Sequence, residues 1–424
     1  MDNLLKKSKV AIDHCPDDLG TPASYTRAQL DKVKAMVKNV AEGSMGGFEN
    51  IVGRGDTVLL KINTVTPNPP ELGFTTDPRI LQAVIELIQE RNPKKVLIGE
   101  RSALGNDTLN AFEVCGITAV AKKTGAELCP YDNEPFDMYK IDRPISFNEF
   151  PVPRPVRDCD VYIGLPKMKV HVHTCVTCAL KLQFGNLPNY YWMSRCHSDD
   201  IYQKICNLTR AANPKWFLVD CLYTCQGNGP FSAYPEDLIK DFNVVYGGSD
   251  PVAVDTVCEA LMDWDNPGRN APACSLAAFE GLGTNDWNNI EVVGKSIDSV
   301  KRRFKRPETY LQGPFPNVNV IMGSACEPGC RVLVRMALDS CLVNGALAAL
   351  KRPLTIFVGK QFGPVPTNIE GDVIVYGDCA KNILDYYPNA KFYGSTEEYG
   401  NCAPLWSNLP GIGLVSYISG LAGI

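Results

Sequence analysis

Apolar residues along this chain fall into short runs rich in Val, Ile and Leu that alternate with longer stretches of helical period, a rhythm that predicts parallel βαβ units. Thr57 to Ile62 reads as a buried strand. Asp77-Pro78 then opens a helix, the acid as N-cap and the proline in the first turn, and the helix ends before Asn92-Pro93. Further strands are expected at Lys95 to Gly99, Asp160 to Gly164, Trp216 to Asp220 and Asn243 to Gly247. Asp250-Pro251 starts a second capped helix that runs to about Met262. Residues 134–156 are rich in proline and lack a period, and read as an irregular excursion within the first domain.

Near residue 300 the pattern breaks. The basic run Lys301 to Arg306 is followed by Pro307, Pro314 and Pro316, after which strands are expected at Val318 to Met322, Leu354 to Val358 and Val373 to Tyr376, with a helix from Val332 to Leu350. The expected fold class is α/β, with two open, mostly parallel sheets and helices on both faces. One domain covers 1–300 and a smaller one covers 310–424.

Composition narrows the function. With 42 Lys+Arg against 47 Asp+Glu the net charge is −5, which gives no general reason to bind nucleic acid or anionic lipid. No apolar run is long enough for a signal segment or a membrane span, so the expectation is a cytoplasmic protein with reduced thiols and no membrane or nucleic-acid partner. The 17 cysteines are an odd number spread over the whole length, unlike a small disulfide scaffold, and most read as small buried hydrophobes.

In open α/β sheets, ligands bind beyond the carboxyl ends of the strands. Asn63 follows the first expected strand, Glu100 the second, Pro166 to His173 the third, Asp220 the fourth and Gly247 to Asp250 the fifth. The segment Pro166-Lys167-Met168-Lys169-Val170-His171-Val172-His173 carries two lysines and two of the chain's 4 histidines, with Lys181 and His197 downstream. Such a cluster suits a carboxylate or phosphate, with imidazole available as acid or base; a solvated charged loop is the other reading. The candidate catalytic residues are Lys167, His171, His197 and Asp220. The candidate substrate contacts are Lys61, Asn63, Glu100, Lys169, Lys181, Gly229 and Asp250. The glycines of Gln226-Gly227-Asn228-Gly229-Pro230 and Gly247-Gly248-Ser249 could offer backbone N–H groups to phosphate, although neither matches a Walker or dinucleotide fingerprint.

Lys61-Ile62-Asn63, Thr75-Thr76-Asp77-Pro78, Gly99-Glu100, Leu165-Pro166-Lys167-Met168-Lys169-Val170-His171, Val176-Thr177 with Lys181 and Gly185, Val219-Asp220, Gly227 with Gly229-Pro230, and Ser249-Asp250-Pro251-Val252-Ala253-Val254-Asp255 are ordered motifs. From about residue 55 to 295 they resemble the family called domain of unknown function 362. The resemblance implies an α/β protein, often from anaerobes and often joined to iron–sulfur modules, without an established reaction. The family's frequent ferredoxin-type insert, with C-x-x-C-x-x-C spacing, is absent here.

In the last domain Cys326 and Cys330 follow one expected strand, Cys379 follows another, and Cys402 follows the run Lys391 to Tyr393, each beside glycine. This layout resembles, loosely, the proximal-cluster pattern of the nickel–iron hydrogenase small subunit. That resemblance implies Cys326, Cys330, Cys379 and Cys402 as ligands of one [4Fe–4S] cluster. For an oxidoreductase using such a cluster, a ferredoxin-like electron donor is the expected partner. The C-x-x-x-C pair and the Cys402-Ala403-Pro404 sequence depart from that family's pattern. Metal-free thiols or a structural four-cysteine zinc are the competing readings. Cys341 falls at core spacing in a helix. Cys175-Val176-Thr177-Cys178 reads as a helical core segment or as a redox or metal pair. The expected function is an iron–sulfur oxidoreductase acting on a small anionic substrate. A lyase using the cluster as Lewis acid and a non-catalytic iron–sulfur or metal carrier are the alternatives.

Overall fold

The computed structural model describes residues 7–103, 105–141, 147–197, 201–230, 234–313, 315–398, 402–409 and 411–424. Gly400 and Asn401, which precede Cys402 in its motif, lie outside them. The chain packs as two compact units: Met1–Asn189 with Tyr202–Arg306, and Tyr190–Ile201 with Pro307–Ile424.

The strands of the larger unit are β1 (Ser8–His14), β2 (Thr57–Lys61), β3 (Lys95–Glu100), β4 (Glu127–Pro130), β5 (Phe136–Lys140), β6 (Glu149–Pro153), β7 (Val161–Gly164), β8 (Lys167–His171), β9 (Cys175–Thr177), β10 (Trp216–Cys225), β11 (Leu238–Ile239), β12 (Val244–Gly248) and β13 (Ile290–Gly294). The main sheet runs β13-β1-β12-β10-β7-β2-β3-β4; β8 and β11 join it through β10, and β9 through β8. Strands β2, β3, β4, β7 and β10 are mutually parallel. All of β7 and β10, and all but the first residue of β2 and β3, are buried, which is why they read as unbroken apolar runs and not as alternating ones. The helix Arg27–Met45 lies on β1 and β12. A reciprocal Thr26/Gln29 capping box starts it, its buried stripe is Leu30, Val33, Met36, Val37, Val40 and Ala41, and left-handed Gly46 (φ 79°) ends it.

Four sequence expectations are corrected. Strand β12 runs antiparallel to both β1 and β10. Gly248 therefore pairs with Phe217 at the start of β10, and Asp250 lies at the opposite end of the sheet from Asn63, Glu100 and Asp220. Within 134–156, Phe136–Lys140 and Glu149–Pro153 are not irregular, since β5 and β6 form a two-stranded antiparallel sheet. Cys175-Val176-Thr177 is a strand paired to β8 and not a helix. The helix expected over 332–350 is broken at left-handed Gly345 (φ 84°) into Val332–Val343 and Ala346–Ala349.

The smaller unit has a four-stranded parallel sheet in the order β14 (Val318–Met322), β15 (Leu354–Val358), β16 (Asp372–Tyr376) and β17 (Lys391–Tyr393). Alternate residues face opposite sides. Ile356, Val358, Ile374 and Tyr376 pack with the helices Val332–Val343 and Leu414–Ala422, whereas Phe357 and Val375 pack with Ala380 and Ile383. The helix Tyr190–His197 contacts the single turn Leu405–Asn408 that follows Cys402.

Candidate functional site

At the carboxyl end of β2, Lys61 is completely buried and donates to Glu100 at 2.7 Å and to the carbonyl of Ile62 at 2.7 Å. Glu100 ends the adjacent parallel strand β3 and also accepts the Thr64 and Arg101 backbone N–H groups at 3.0 and 2.8 Å. Burial pushes the lysine down and the carboxyl up, each against its partner's charge. Gly185 lies over this pair so closely that a Cβ there would collide with Glu100 Oε1 and Lys61 Nζ, which accounts for that motif glycine.

A second pair lies where β8 runs beside β10. Lys167 donates to Asp220 Oδ2 at 2.9 Å, and both are fully buried. Asp220 also accepts the Asp77 and Leu222 N–H groups, at 2.7 and 3.0 Å. Asp77 itself caps the helix Pro78–Gln89 and binds Arg79 with two contacts, at 2.6 and 2.9 Å. Burial raises the Asp220 carboxyl; at Asp77 the Arg79 guanidinium outweighs burial and holds the group below the usual carboxylate range. The Asp77–Arg79 pair was not among the candidate residues, although Thr75-Thr76-Asp77-Pro78 is one of the motifs.

Lys169 differs from both. It is fully buried, its ammonium donates to the carbonyl of Phe74 at 2.6 Å, and burial pushes it down to about 8. His171 and His173 are buried with ring centroids 5.8 Å apart, and the His173 backbone N–H donates to His171 Nδ1 at 3.0 Å, so that nitrogen is an acceptor. Burial, helped by Lys181, pushes His173 down to about 3, which makes it a neutral imidazole. The Lys181 ammonium is half-buried and stands 4.0 Å from the Phe184 ring centroid. Asn63 exchanges backbone and hydroxyl contacts with Thr76 at 2.8 Å, and its Oδ1 has no hydrogen-bond partner among the described residues; neither have Thr64 Oγ1 and Thr177 Oγ1. Gly229 is needed for close approach of backbone to backbone. Its carbonyl accepts the Val172 N–H at 3.1 Å, and a Cβ would strike the carbonyl of Val170.

Two candidates fall elsewhere. Asp250 is a helix cap, accepting the Val252 and Ala253 N–H groups at 2.9 and 3.0 Å, together with Ser8 Oγ and Thr284 N. His197 ends the helix Tyr190–His197, with its Nδ1 2.7 Å from the carbonyl of Met193, in a segment that packs with the smaller unit. The site in the larger unit is thus built from Lys61, Asn63, Glu100, Lys167, Lys169, His171 and Asp220, with Asp77, Arg79 and Thr177 added.

In the smaller unit the sulfurs converge. Around left-handed Gly377 (φ 90°), at the end of β16, a Cβ would lie 2.9 Å from Cys330 Sγ, 3.6 Å from Cys402 Sγ and 3.8 Å from Cys379 Sγ. Cys326 joins through its Sγ, which accepts the Cys330 N–H at 3.4 Å, and the backbone closes a wide turn there, with the Arg331 N–H donating to the Cys326 carbonyl at 3.3 Å. The Asp378 N–H donates to Cys402 Sγ at 3.3 Å. Contacts with Cys326 and Cys402, then burial, push the Cys330 thiol up, while its contact with Cys330 draws the Cys402 thiol down. Cys330 is buried; Cys326 and Cys379 are exposed. The thiols touch one another and do not form a finished coordination shell: among the described residues no group of three or more ligand side chains is arranged to hold a metal ion. Elsewhere, Cys178 packs on the Tyr246 hydroxyl at 3.2 Å and Cys221 on Met168 sulfur at 3.6 Å, and burial pushes both thiols well up, the state of inert core cysteines.

These features define an α/β protein with a charge-paired polar core in one unit and a four-thiol cluster in the other. Residues 58–260 match the family model described as Domain of unknown function (DUF362). A thylakoid-associated protein of Synechocystis sp. is 28% identical over 254 residues, covering 57% of this chain and 72% of that protein. Among solved structures, the lactate racemase apoprotein from Thermoanaerobacterium thermosaccharolyticum is 12% identical with a TM-score of 0.36, and the match spans about half of each chain, 55%. A protein from Thermotoga maritima is 11% identical with a TM-score of 0.36, covering 88% of this chain and 92% of that one. No helix among the described residues is long and apolar enough to cross a membrane.

Proposed function

We propose that this protein is an iron–sulfur oxidoreductase acting on a small anionic substrate, in which Cys326, Cys330, Cys379 and Cys402 hold a [4Fe–4S] cluster and the polar core of the larger unit binds the substrate. The convergence of Cys330, Cys379 and Cys402 on one point beside Gly377 carries the reading. The donor set fits: four cysteine thiols reach the site from segments that follow β14, β16 and β17. Two backbone N–H groups point at sulfur, an interaction that tunes cluster potentials. The loose likeness to the proximal-cluster layout of hydrogenase small subunits supports the same ligands. A cluster would have to spread the thiols from their present mutual contact. Such a group supplies one-electron transfer, with a ferredoxin-like protein as the expected donor. The spread of 17 cysteines over the whole length, unlike a small disulfide scaffold, supports a reducing compartment such as the cytoplasm.

Anaerobic purification tests the reading. About four irons and four sulfides per chain, with a broad visible absorbance that oxygen bleaches, are expected. Serine at Cys326, Cys330 or Cys379 should remove most of the iron. Stoichiometric zinc without sulfide, or full iron retention in all three variants, would refute it. A cluster carrier is the second reading, favoured by the exposure of Cys326 and Cys379. Rapid transfer of iron and sulfide to an apo-ferredoxin would select it.

A further inference from the structure

We propose that the anion bound in the larger unit is a small monocarboxylate and that Lys169 is the group that takes its charge, an inference that rests on the anionic-substrate reading above. The argument is one of charge balance. Lys61 is matched by Glu100 at 2.7 Å, Arg79 by Asp77 at 2.6 Å and Lys167 by Asp220 at 2.9 Å. Lys169 is as deeply buried as these, yet among the described residues no carboxylate lies within ion-pair distance of it, and its ammonium is held by the neutral carbonyl of Phe74. A buried charge without a counter-charge is costly and is ordinarily paired or absent. Three matched pairs and one unmatched lysine leave this core one positive charge in excess. A monocarboxylate balances it. A phosphate dianion would leave these four cations and three carboxylates with one negative charge in excess.

The hydrogen-bonding inventory points the same way. In the β8–β9 register Lys169 stands directly opposite Thr177, so the two side chains share a face, and Lys167 and His171 share it by the two-residue period of the strand. The Thr177 hydroxyl is buried and has no partner among the described residues; the same holds for Thr64 Oγ1, whose backbone N–H binds Glu100. Unsatisfied hydroxyls are rare in native cores, and a carboxylate oxygen accepts from ammonium and hydroxyl alike. Lys169 has no exposed surface, so a bound ligand would be shielded from water.

Binding should also follow pH. The titratable groups acting on Lys169 are Cys225, Lys167, Glu100 and Cys115. Cys115 keeps its proton to about 11, and Lys167 and Glu100 are ion-paired. Deprotonation of Lys169 near 8 removes the anion's counter-charge.

The test is a thermal-shift and calorimetric titration of the full-length protein with acetate, propanoate, inorganic phosphate and sulfate at constant ionic strength. The two carboxylates should stabilise the protein and the phosphate and sulfate should not, with the effect fading as pH rises through about 8. Lys169→Met should weaken carboxylate binding by about tenfold or more, while the ligand-free variant melts at or above the wild-type temperature, because an unmatched charge has gone. A lysine with a purely structural role would instead lower the melting temperature and leave binding intact, and that pattern overturns the inference. Preferential phosphate or sulfate binding overturns the monocarboxylate assignment and keeps the anionic-substrate reading, whereas stabilisation by none of the four anions removes both. If Lys169→Met does not fold, the wild-type pH profile decides: carboxylate binding unchanged between pH 7 and 9 overturns the role of Lys169.

Discussion

Asp255 sits buried inside the helix Pro251–Leu261 and accepts the Ala179 N–H at 2.8 Å, and burial pushes its carboxyl up to about 7. An unfolded aspartate ionises near 3.8, so between those two values the folded chain holds a proton that the unfolded chain has lost. Stability should therefore fall as pH rises across that interval. Asp255→Asn is expected to flatten the fall of melting temperature with pH and to melt above wild type at pH 8; an unchanged slope would mean that the folded carboxyl is already ionised at low pH. Glu100 and Asp220, also raised by burial, add slope of the same sign, so the variant reduces the trend without abolishing it. Gly185 is a sharper test of packing. Gly185→Ala drives a methyl into the Lys61–Glu100 pair, and a loss of about 1–3 kcal/mol in urea unfolding is expected. At this scale the sequence is informative about which residues are unusual and silent about how they pair. Lys61, Lys167 and Lys169 look alike in their motifs, and their different environments arise from which strand lies beside each.

Strand direction is the element-level fact that periodicity does not carry. The run Val244–Gly248 is as apolar as its neighbours and reads as one more strand, but a reversed strand has the same pattern as a forward one. Its reversal moves Asp250 to the far end of the sheet from the other candidate contacts and leaves the helix cap that Asp250-Pro251 predicted as its observed role. Asp250→Ala should cost about 1 kcal/mol in urea unfolding and leave carboxylate binding at the other end unchanged; a loss of binding without loss of stability would return Asp250 to the site. The strands β2, β3, β7 and β10 were legible because both faces of each are covered, which writes them as continuous apolar runs. Strand β1 was not, because only Val10, Ala11 and Ile12 of its seven residues are fully buried. Pro151 and Pro153 disguised β6, and β5 alternates between half-buried and exposed residues without a buried face. The cysteine positions and the glycine beside each were legible; what sequence could not supply was that three of the thiols close on Gly377.

The smaller unit is not a contiguous piece of the chain. Tyr190–Ile201 packs with Pro307–Ile424, and the helix Tyr190–His197 touches the turn that follows Cys402. A fragment starting at Pro307 would lack that brace; if the proposed cluster is bound, it should hold less iron than the intact protein under the same anaerobic reconstitution, with Cys402 the first contact weakened. Equal iron loading in fragment and whole chain would show the brace to be dispensable. The match to Domain of unknown function (DUF362) over 58–260 includes this segment, although the strands it serves lie beyond the match.

The same interruption sets a schedule on the ribosome. Tyr190–Ile201 is translated roughly 100 residues before Pro307, and at ordinary elongation rates of about 5–20 residues per second that is a wait of order ten seconds. Met193 and Cys196 are buried in the finished protein, and the turn Leu405–Asn408 that their helix contacts has not been made during that interval. The nascent chain therefore carries this helix without that contact while the rest of the larger unit is made. Synonymous codon choice between 202 and 306, or access of a chaperone at the exit tunnel, becomes a lever on yield that nothing in the finished fold would reveal.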